Sequence, residues 1–546
     1  MKASKPYTAA KFILVQKYFI YIIAFSTIIN GCDFSDIELD KVQGPTIDNT
    51  FAVNIGNIKY TVDELVESLE DETLEVVEGD DLFLSFVYRD TSLFDDIDEF
   101  VKISDVFNED SFAPFDTDIP PSGSASIVAI PTESFEFEFN PDKGEQIDST
   151  FFKGGTLQYV LTSDFDVQID YVFTLNDIRE LNDDPIVFVR TLAAGASSDS
   201  QSLPLDGLKN VSRRVDSVNI FNVTLDLVFH IPAGKSIGAS DEIKIELEFL
   251  ESEFSAIFGN FGTDPVEVQR DSIEISAFDE FNEGGLVFND PSITIDFVNA
   301  FGVELGVSLD GIKSVDSNES EIILSGEVID NLQFVEAPDE TQLGQTIAST
   351  LTIDKLNSNV DELLNSTPQK IIFDVTATPN PPGSDNLNNY LFDSSYLEIR
   401  TSIEIPLDFR MNGFSKDFDL SIAGSDLEDA DSLTINIQVL NEIPFDGVLD
   451  LSFKDSEGNE LYRLAEIGLI ESPETFSGDR IAEPMMSTSA IKLDSEGIEA
   501  FLLTSDIVAT MNIFTIGNES GDFVKIFSDY KLEIFLTAEG KVSVDL

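Results

Sequence analysis

Residues 221–231 have the sequence FNVTLDLVFHI, in which every second side chain is apolar. Successive side chains of a β-strand point to opposite faces of a sheet, so this alternation predicts a strand with one buried face. Residues 134–140, SFEFEFN, alternate between phenylalanine and glutamate in the same way. Turn-forming residues separate such runs, for example at 140–144 (NPDKG) and 455–459 (DSEGN). The pattern predicts an all-β-dominated fold.

Pairs of predicted strands recur in a similar order about every 140 residues, which is typical of a repeated unit. In each unit a strand, a tight turn and a second strand come first, followed by a strand that ends in aspartate. That aspartate is expected to be the N-cap of a short helix. The strand pairs are 156–167, 292–303 and 432–448, the aspartates are Asp206, Asp354 and Asp494, and the closing strands are 243–247, 396–399 and 530–534.

This periodicity predicts tandem β-sandwich modules, about three in number, each with a short helix. The expected boundaries are 126–280, 281–420 and 421–546. Residues 51–125 are expected to form a partial N-terminal β unit, with a helix that starts at the capping box Thr61–Glu64 and continues through Leu69, followed by strands between Leu74 and Tyr88.

The first 31 residues have the features of a secretory signal peptide. Lys2, Lys5, Lys11 and Lys17 precede a run of about a dozen mostly apolar residues, and no acidic residue interrupts the segment. The run is shorter than the roughly 20 residues that a transmembrane helix needs. We therefore expect a cleaved signal rather than a permanent membrane span, followed by a flexible acidic tether over residues 32–50.

The sequence Ile29-Asn30-Gly31-Cys32 resembles the lipobox of bacterial lipoproteins, in which an aliphatic and a small residue precede the acylated cysteine. Asn30 departs from the pattern, because that position is more often small. The resemblance implies that Cys32, the only cysteine, carries the lipid anchor on a Gram-negative surface lipoprotein. Acyl chains of the palmitate type would hold the protein at the outer membrane, on its periplasmic or its cell-surface side.

The charge of the chain limits its partners. Asp and Glu number 103 against 31 Lys and Arg, which gives a formal net charge of −72. Phosphate backbones and anionic headgroups would be repelled, so nucleic acid is not an expected partner. With Cys32 acylated the mature chain has no free thiol, which excludes disulfides and thiolate metal sites.

Residue types needed for common enzyme mechanisms are scarce. His230 is the only histidine, and on its predicted strand it shares the outward face with Asn222, Thr224 and Asp226. We interpret it as a surface histidine rather than a general base. The sequence Gly234-Lys235-Ser236 lacks the first glycine of a phosphate-binding loop, and the chain has no tryptophan to stack on sugars. The sequence therefore favours a non-enzymatic protein.

Calcium is the one cofactor that the sequence suggests, since acidic loops between strands offer the oxygen ligands that it prefers. None of the loops has the Asp-x-Asp-x-Asp-Gly pattern, so exposed acidic turns are the other interpretation. The densest loops provide the candidates Asp183 and Asp184, and Asp426, Glu428, Asp429 and Asp431.

Residues 298–303, and residues 361–364 before the strand 370–375, resemble the late-embryogenesis-abundant, water-stress type of β-sandwich. That family has an Asn-Pro turn, strands, one short helix and a closing hairpin, although no proline follows Asn299 here. The resemblance implies a binding or structural module more than an enzyme.

Two functions remain open from the sequence. The first is a surface lipoprotein with a structural, adhesive or binding role toward a protein partner. The alternative is a carrier that holds a lipid or other hydrophobic ligand in a phenylalanine-lined groove. A sandwich closes its own core, whereas a carrier leaves a continuous apolar channel. The strict alternation of residues 134–140 keeps one face acidic and favours the first function.

Overall fold

The protein is represented by a computed structural model that describes residues 46–62, 74–216, 218–275, 285–384, 387–420, 430–474, 476–477 and 479–545. Strands dominate these residues and helices are few and short, which confirms the predicted all-β-dominated class. Within them, no helix is long and apolar enough to cross a membrane. The lipobox and the expected helix from Thr61 to Leu69 lie outside the described residues, except for Thr61 and Val62.

The strands of the first half are β1 (Thr46–Thr61), β2 (Leu74–Glu78), β3 (Leu84–Phe94), β4 (Val106–Phe112), β5 (Ser126–Ala129), β6 (Glu133–Glu138), β7 (Gln146–Ser163), β8 (Gln168–Glu180), β9 (Pro185–Leu192), β10 (Ser198–Pro204), β11 (Leu208–Val211), β12 (Arg213–Val215), β13 (Val218–Ile231), β14 (Ile243–Asn260) and β15 (Val266–Glu274). They are followed by β16 (Val287–Phe288), β17 (Ser292–Asn299), β18 (Leu305–Ser308), β19 (Lys313–Val315), β20 (Glu321–Ile323), β21 (Gln333–Val335), β22 (Ile347–Ile353), β23 (Lys370–Pro379), β24 (Asn389–Phe392) and β25 (Leu397–Pro406).

The remaining strands are β26 (Asp408–Arg410), β27 (Phe414–Leu420), β28 (Ser432–Asn441), β29 (Phe445–Lys454), β30 (Glu460–Ile470), β31 (Phe476–Ser477), β32 (Arg480–Ile481), β33 (Met485–Lys492), β34 (Asp506–Thr515), β35 (Val524–Lys525) and β36 (Lys531–Asp545). Three α-helices are described, α1 (Glu327–Asp330), α2 (Val360–Leu364) and α3 (Ser495–Leu503).

Most strands belong to three sheet groups. The first group contains β4–β14, the second contains β2, β3, β15 and β17–β25, and the third contains β1, β27–β30, β33, β34 and β36. Neighbouring groups are joined by strand pairing. β24 of the second group pairs with β14 of the first, and a small sheet of β16, β26 and β35 connects the second group to the third.

One order of strands is common to the three groups. It is β10-β7-β14-β4 in the first, β22-β17-β25-β3 in the second and β33-β28-β36-β1 in the third. The last strand in each series comes from residues 46–112. The chain order of these strands is opposite to that of the groups, since β1 belongs to the third group, β3 to the second and β4 to the first. Residues 51–125, expected to form a partial unit, thus supply strands to all three groups.

β1 is the longest of these added strands. It pairs with β36 from Thr46, opposite Asp545, to Thr61, opposite Lys531, with one irregularity near Asn54. Its inward side chains Ile58 and Tyr60 are only 3% exposed. Burial of this apolar face explains why the second half of the strand is held in the third group, whereas Thr50 and Phe51 in its first half are exposed.

A buried polar side chain fixes the first tight turn of each group. In the second group the Asn299 amide donates to the carbonyls of Val303 and Glu336 (3.0 and 3.1 Å) and accepts from Phe301 N–H (2.9 Å). Asn441 makes the same three bonds in the third group, with Phe445, Glu471 and Ile443. These bonds satisfy backbone groups that the turn would otherwise leave unpaired inside the protein.

Phenylalanine rings fill the space between the sheets. In the first group Phe249 of β14 contacts Phe139 and Phe221, with ring centroids 4.9 and 5.5 Å apart. In the second group Phe100 and Phe301 are 4.9 Å apart, and in the third Phe453 packs edge-on against Phe501 of α3 at 5.6 Å. The rings are buried by one another, as in the core of a sandwich.

Of the three aspartates predicted to be helix N-caps, only Asp494 has that position in the structure. Asp494 caps α3 by accepting a hydrogen bond from Gly497 N–H, as expected. Asp354 lies in a turn instead, and α2 begins six residues later at Val360. After Asp206 the chain makes a turn and enters β11 at Leu208, because Gly207 has a φ of 76°, which a helix cannot accommodate.

Candidate binding surface

The single histidine lies on the outer face of the first group. His230 on β13 pairs with Asp170 on β8, its Nε2 being 2.7 Å from Asp170 Oδ2. Thr191 on β9 donates to the other carboxylate oxygen of Asp170 at 2.7 Å. Hydrogen bonds from Thr191 and His230 hold the pKa of Asp170 below its usual range. The outward position predicted for His230 agrees with the half-buried side chain found here.

The hydroxyl beside this pair is not arranged as a nucleophile. Thr191 donates to Asp170 and not to the imidazole, so the hydrogen bonds orient the ring and the carboxylate only. Nucleophilic catalysis needs the hydroxyl within reach of the base.

Apolar side chains surround the pair on the same face. A cleft of about 580 Å³ opens here, and its lining includes Val172, Val189 and Val228 together with the charged side chains of Asp170, Arg190 and Asp226. Val189 is 75% exposed, and Ile127, opposite His230 on β5, is 70% exposed. We call this the histidine face, comprising Asp170, Val172, Val189, Asp226, Val228, His230 and Ile127. It offers apolar contact together with carboxylates that could pair with a basic group.

The valines of the histidine face are not among the site residues predicted from the sequence. A signal for them exists in residues 186–189, Ile-Val-Phe-Val, where apolar residues do not alternate with polar ones. Ile186 and Phe188 pack against the core, which leaves Val187 and Val189 on the outside. Such a run predicts apolar side chains on both faces of a strand.

A polar cluster lies beneath the open edge of this sheet. Tyr171 on β8 donates to Asp199 on β10 (2.6 Å), Arg190 on β9 donates to the same carboxylate (3.2 Å), and the hydroxyls of Tyr159 and Tyr171 are 3.2 Å apart. Burial raises the pKa of Asp199, but the bonds from Arg190 and Tyr171 outweigh it, so the pKa is lowered. Burial also raises the pKa of Tyr171. The cluster links β8, β9 and β10.

We predict that Asp199→Asn lowers the free energy of unfolding near neutral pH by about 1–3 kcal/mol, because a charged acceptor is lost. A depressed pKa contributes stability that is present above the unfolded value and lost as pH falls through the folded value. The variant should therefore lose less stability on acidification than the parent. Denaturant unfolding between neutral and acidic pH measures this. Asp206→Asn, which changes an exposed carboxylate, is the control. If the stability of Asp199→Asn depended on pH as strongly as that of the parent, the predicted role of the Asp199 carboxylate would be wrong.

The acidic residues that the sequence predicts as calcium ligands lie in loops or outside the described residues. Asp183 has a positive φ of 74° in the turn between β8 and β9, and its carboxylate binds Lys209 Nζ at 2.6 Å. The Asp184 side chain accepts from Asn182. Asp426, Glu428 and Asp429 lie outside the described residues, while Asp431 donates its N–H to Lys541. Among the residues with described positions, no three His, Cys, Asp or Glu side chains are grouped to hold a metal ion.

Gly234 and Lys235, which resemble the end of a phosphate-binding loop in the sequence, lie in a turn. Gly234 has a φ of 83° and forms a turn with Lys235, whose Nζ binds Asp166 at 2.5 Å. The proposed anchor residue, Cys32, lies outside the described residues.

The chain has low similarity to proteins of known structure. No protein-family model matches the chain, and neither does any curated protein. A crystal structure described as that of a secreted protein from Parabacteroides distasonis is similar over 53% of this chain and 90% of its own, with 13% identity and a TM-score of 0.34. The exported protein XepA of PBSX matches 52% of this chain and 86% of its own, at 8% identity and a TM-score of 0.11. These similarities are too low to indicate a shared function.

Proposed function

We propose that this protein is a non-enzymatic lipoprotein, anchored at the bacterial outer membrane through acylated Cys32, that binds a protein partner through exposed strands and loops. The closed interior carries this proposal. Tyr159, Phe173, Phe221 and Phe249 are among the largest side chains with less than 2% exposure, and their rings contact aromatic neighbours. A carrier would need these rings to line an open groove.

The histidine face supports a binding role. It combines the exposed Val189 and Ile127 with Asp170 and Asp226 on a rigid antiparallel sheet. A partner with apolar side chains beside a lysine or arginine would match this chemistry. The strongly negative charge of the chain is consistent with a basic partner and disfavours nucleic acid.

Native mass spectrometry of the protein purified from its own host tests two parts of the proposal, the lipid anchor at Cys32 and the absence of a bound hydrophobic ligand. We expect a mass above that of the chain from Cys32 onward by the acyl groups alone, with no further ligand. Cys32→Ser should remove the acyl mass and release the protein from the membrane fraction.

An additional hydrophobic ligand that survives purification would overturn the non-carrier assignment. If the mass of the parent protein included no acyl groups, the proposed lipid anchor at Cys32 would be wrong. The same measurement before and after a chelator shows whether calcium is bound.

A further inference from the structure

One end of the third sheet group is closed by α3. Leu493, just before the helix, donates its N–H to Leu433 at the start of β28, and Ser505, just after it, donates to Lys454 at the end of β29. The helix therefore spans from one sheet to the other. Phe501 packs inward against Phe453, so α3 forms the cover of this end.

The chain from Cys32 enters the fold at the same end. Ser432, the first residue of β28, pairs with Lys541, which pairs in turn with Thr50. Residues 46–49 and 542–545 therefore continue beyond the start of β28. Only residues 33–45 separate Cys32 from Thr46, and fourteen extended residues reach at most about 50 Å. A lipid on Cys32 would therefore hold this end within that distance of the bilayer.

The opposite end of the third group is occupied by the second group. β35 pairs with β26, which pairs with β16, and Phe409 of β26 contacts Phe445 at the start of β29 across this junction. The 3-10 turn Asn518–Ser520 lies at this opposite end, after the last residue of β34. Among the strands that the structure describes, none joins the α3 end of the third group to another group.

Apolar side chains are exposed at the α3 end. Leu502 is 41% exposed and Leu503 is 65% exposed, although their neighbours Ala500 and Phe501 are buried. Phe51 of β1 is 46% exposed near the point where the chain enters. Exposed leucine and phenylalanine side chains partition into the interface of a bilayer when they are held next to it.

We propose that the α3 end of the third sheet group rests on the bilayer, with Leu502 and Leu503 inserted into its interface, so that the first group and its histidine face point away from the membrane. The inference rests on the proposed anchor at Cys32. Glu496 and Glu499 on α3 would be repelled by anionic lipids. The surface that fits is therefore a zwitterionic headgroup layer.

Site-specific quenching tests this orientation on the full acylated protein. Because Cys32 is acylated, Leu503→Cys provides the only free thiol for an environment-sensitive fluorophore. The labelled protein is bound to phosphatidylcholine vesicles that carry a quencher at shallow depth. Glu519→Cys, exposed at the opposite end of the same group, is the matched control, and Val189→Cys reports on the histidine face.

We expect quenching to be several-fold stronger at residue 503 than at residues 519 and 189, and to weaken when anionic lipid replaces part of the phosphatidylcholine. Equal quenching at 503 and 519 in acylated, vesicle-bound protein would overturn the orientation and leave the anchor intact. If mass spectrometry of the same sample shows no acyl group, the anchor itself fails, and the orientation fails with it.

Discussion

Ile58→Asp should unfold the third sheet group while the first group stays folded. Ile58 is 3% exposed on β1 and lies opposite Ile534 of β36, which is fully buried. The substitution removes apolar burial worth about 1.5–3 kcal/mol and places a carboxylate in the core. We expect a loss of about 4 kcal/mol or more in the free energy of unfolding of that group.

Asn57→Asp is the matched control, since it adds the same charge one residue earlier on the exposed face of β1. It should change stability by no more than about 0.5 kcal/mol. Limited proteolysis with mass analysis identifies which part of the chain opens. Cleavage of Ile58→Asp should concentrate in residues 414–545 and spare residues 126–260. Uniform cleavage, or resistance equal to that of Asn57→Asp, would contradict the assignment of β1 to the third group.

Asn299→Asp and Asn441→Asp should each be strongly destabilising, by about 3–5 kcal/mol, because two carbonyls lose their donor and face a buried carboxylate instead. Both asparagines are fully buried and make the same three hydrogen bonds. In the first group Ser163 occupies the related position and accepts from Phe165 N–H at 3.1 Å. Ser163→Ala removes one neutral bond and should cost only about 1 kcal/mol.

Thermal and denaturant unfolding of the three variants measure this ranking, and Asn57→Asp again shows the effect of the same substitution on the surface. If Asn299→Asp were no more harmful than Ser163→Ala, the buried amide would not be the group that holds the turn. Proteolysis should also localise the damage, to residues 292–406 for Asn299→Asp and to residues 414–545 for Asn441→Asp.

The faces of the strands could be predicted from the sequence, but their partners could not. The alternation of residues 221–231 places Phe221 and Phe229 inside and His230 outside, as the structure shows. The same alternation contains no information on which strand lies alongside. β1 pairs with a strand that begins 470 residues after β1 ends, at Lys531 opposite Thr61, because both bury one apolar face, and no local pattern records that choice.

The candidate surface could be predicted only in part, for a similar reason. The outward position of His230 follows from its place in the alternating strand, whereas its pairing with Asp170 depends on the register of β8 against β13. The density of acidic residues around Asp183 in the sequence predicts a calcium ligand. Its carboxylate binds Lys209, which lies on β11, the strand that pairs with the end of β8. Residue spacing along the chain does not predict such contacts.

Disulfide trapping of β1 against β36 tests most directly whether the strand nearest the anchor belongs to the third sheet group. In the chain from Asp33 onward, which has no other thiol, Lys59→Cys and Glu533→Cys lie directly opposite each other. Opposed Cβ atoms are about 4.5–5.5 Å apart, close to the separation in a disulfide. Lys59→Cys with Thr537→Cys, about 13 Å along the same strand face, is the control. Rapid oxidation of the first pair but not of the second is the predicted result. Failure of the first pair to oxidise, or equal oxidation of both, would contradict the pairing and the membrane-proximal position of the third group.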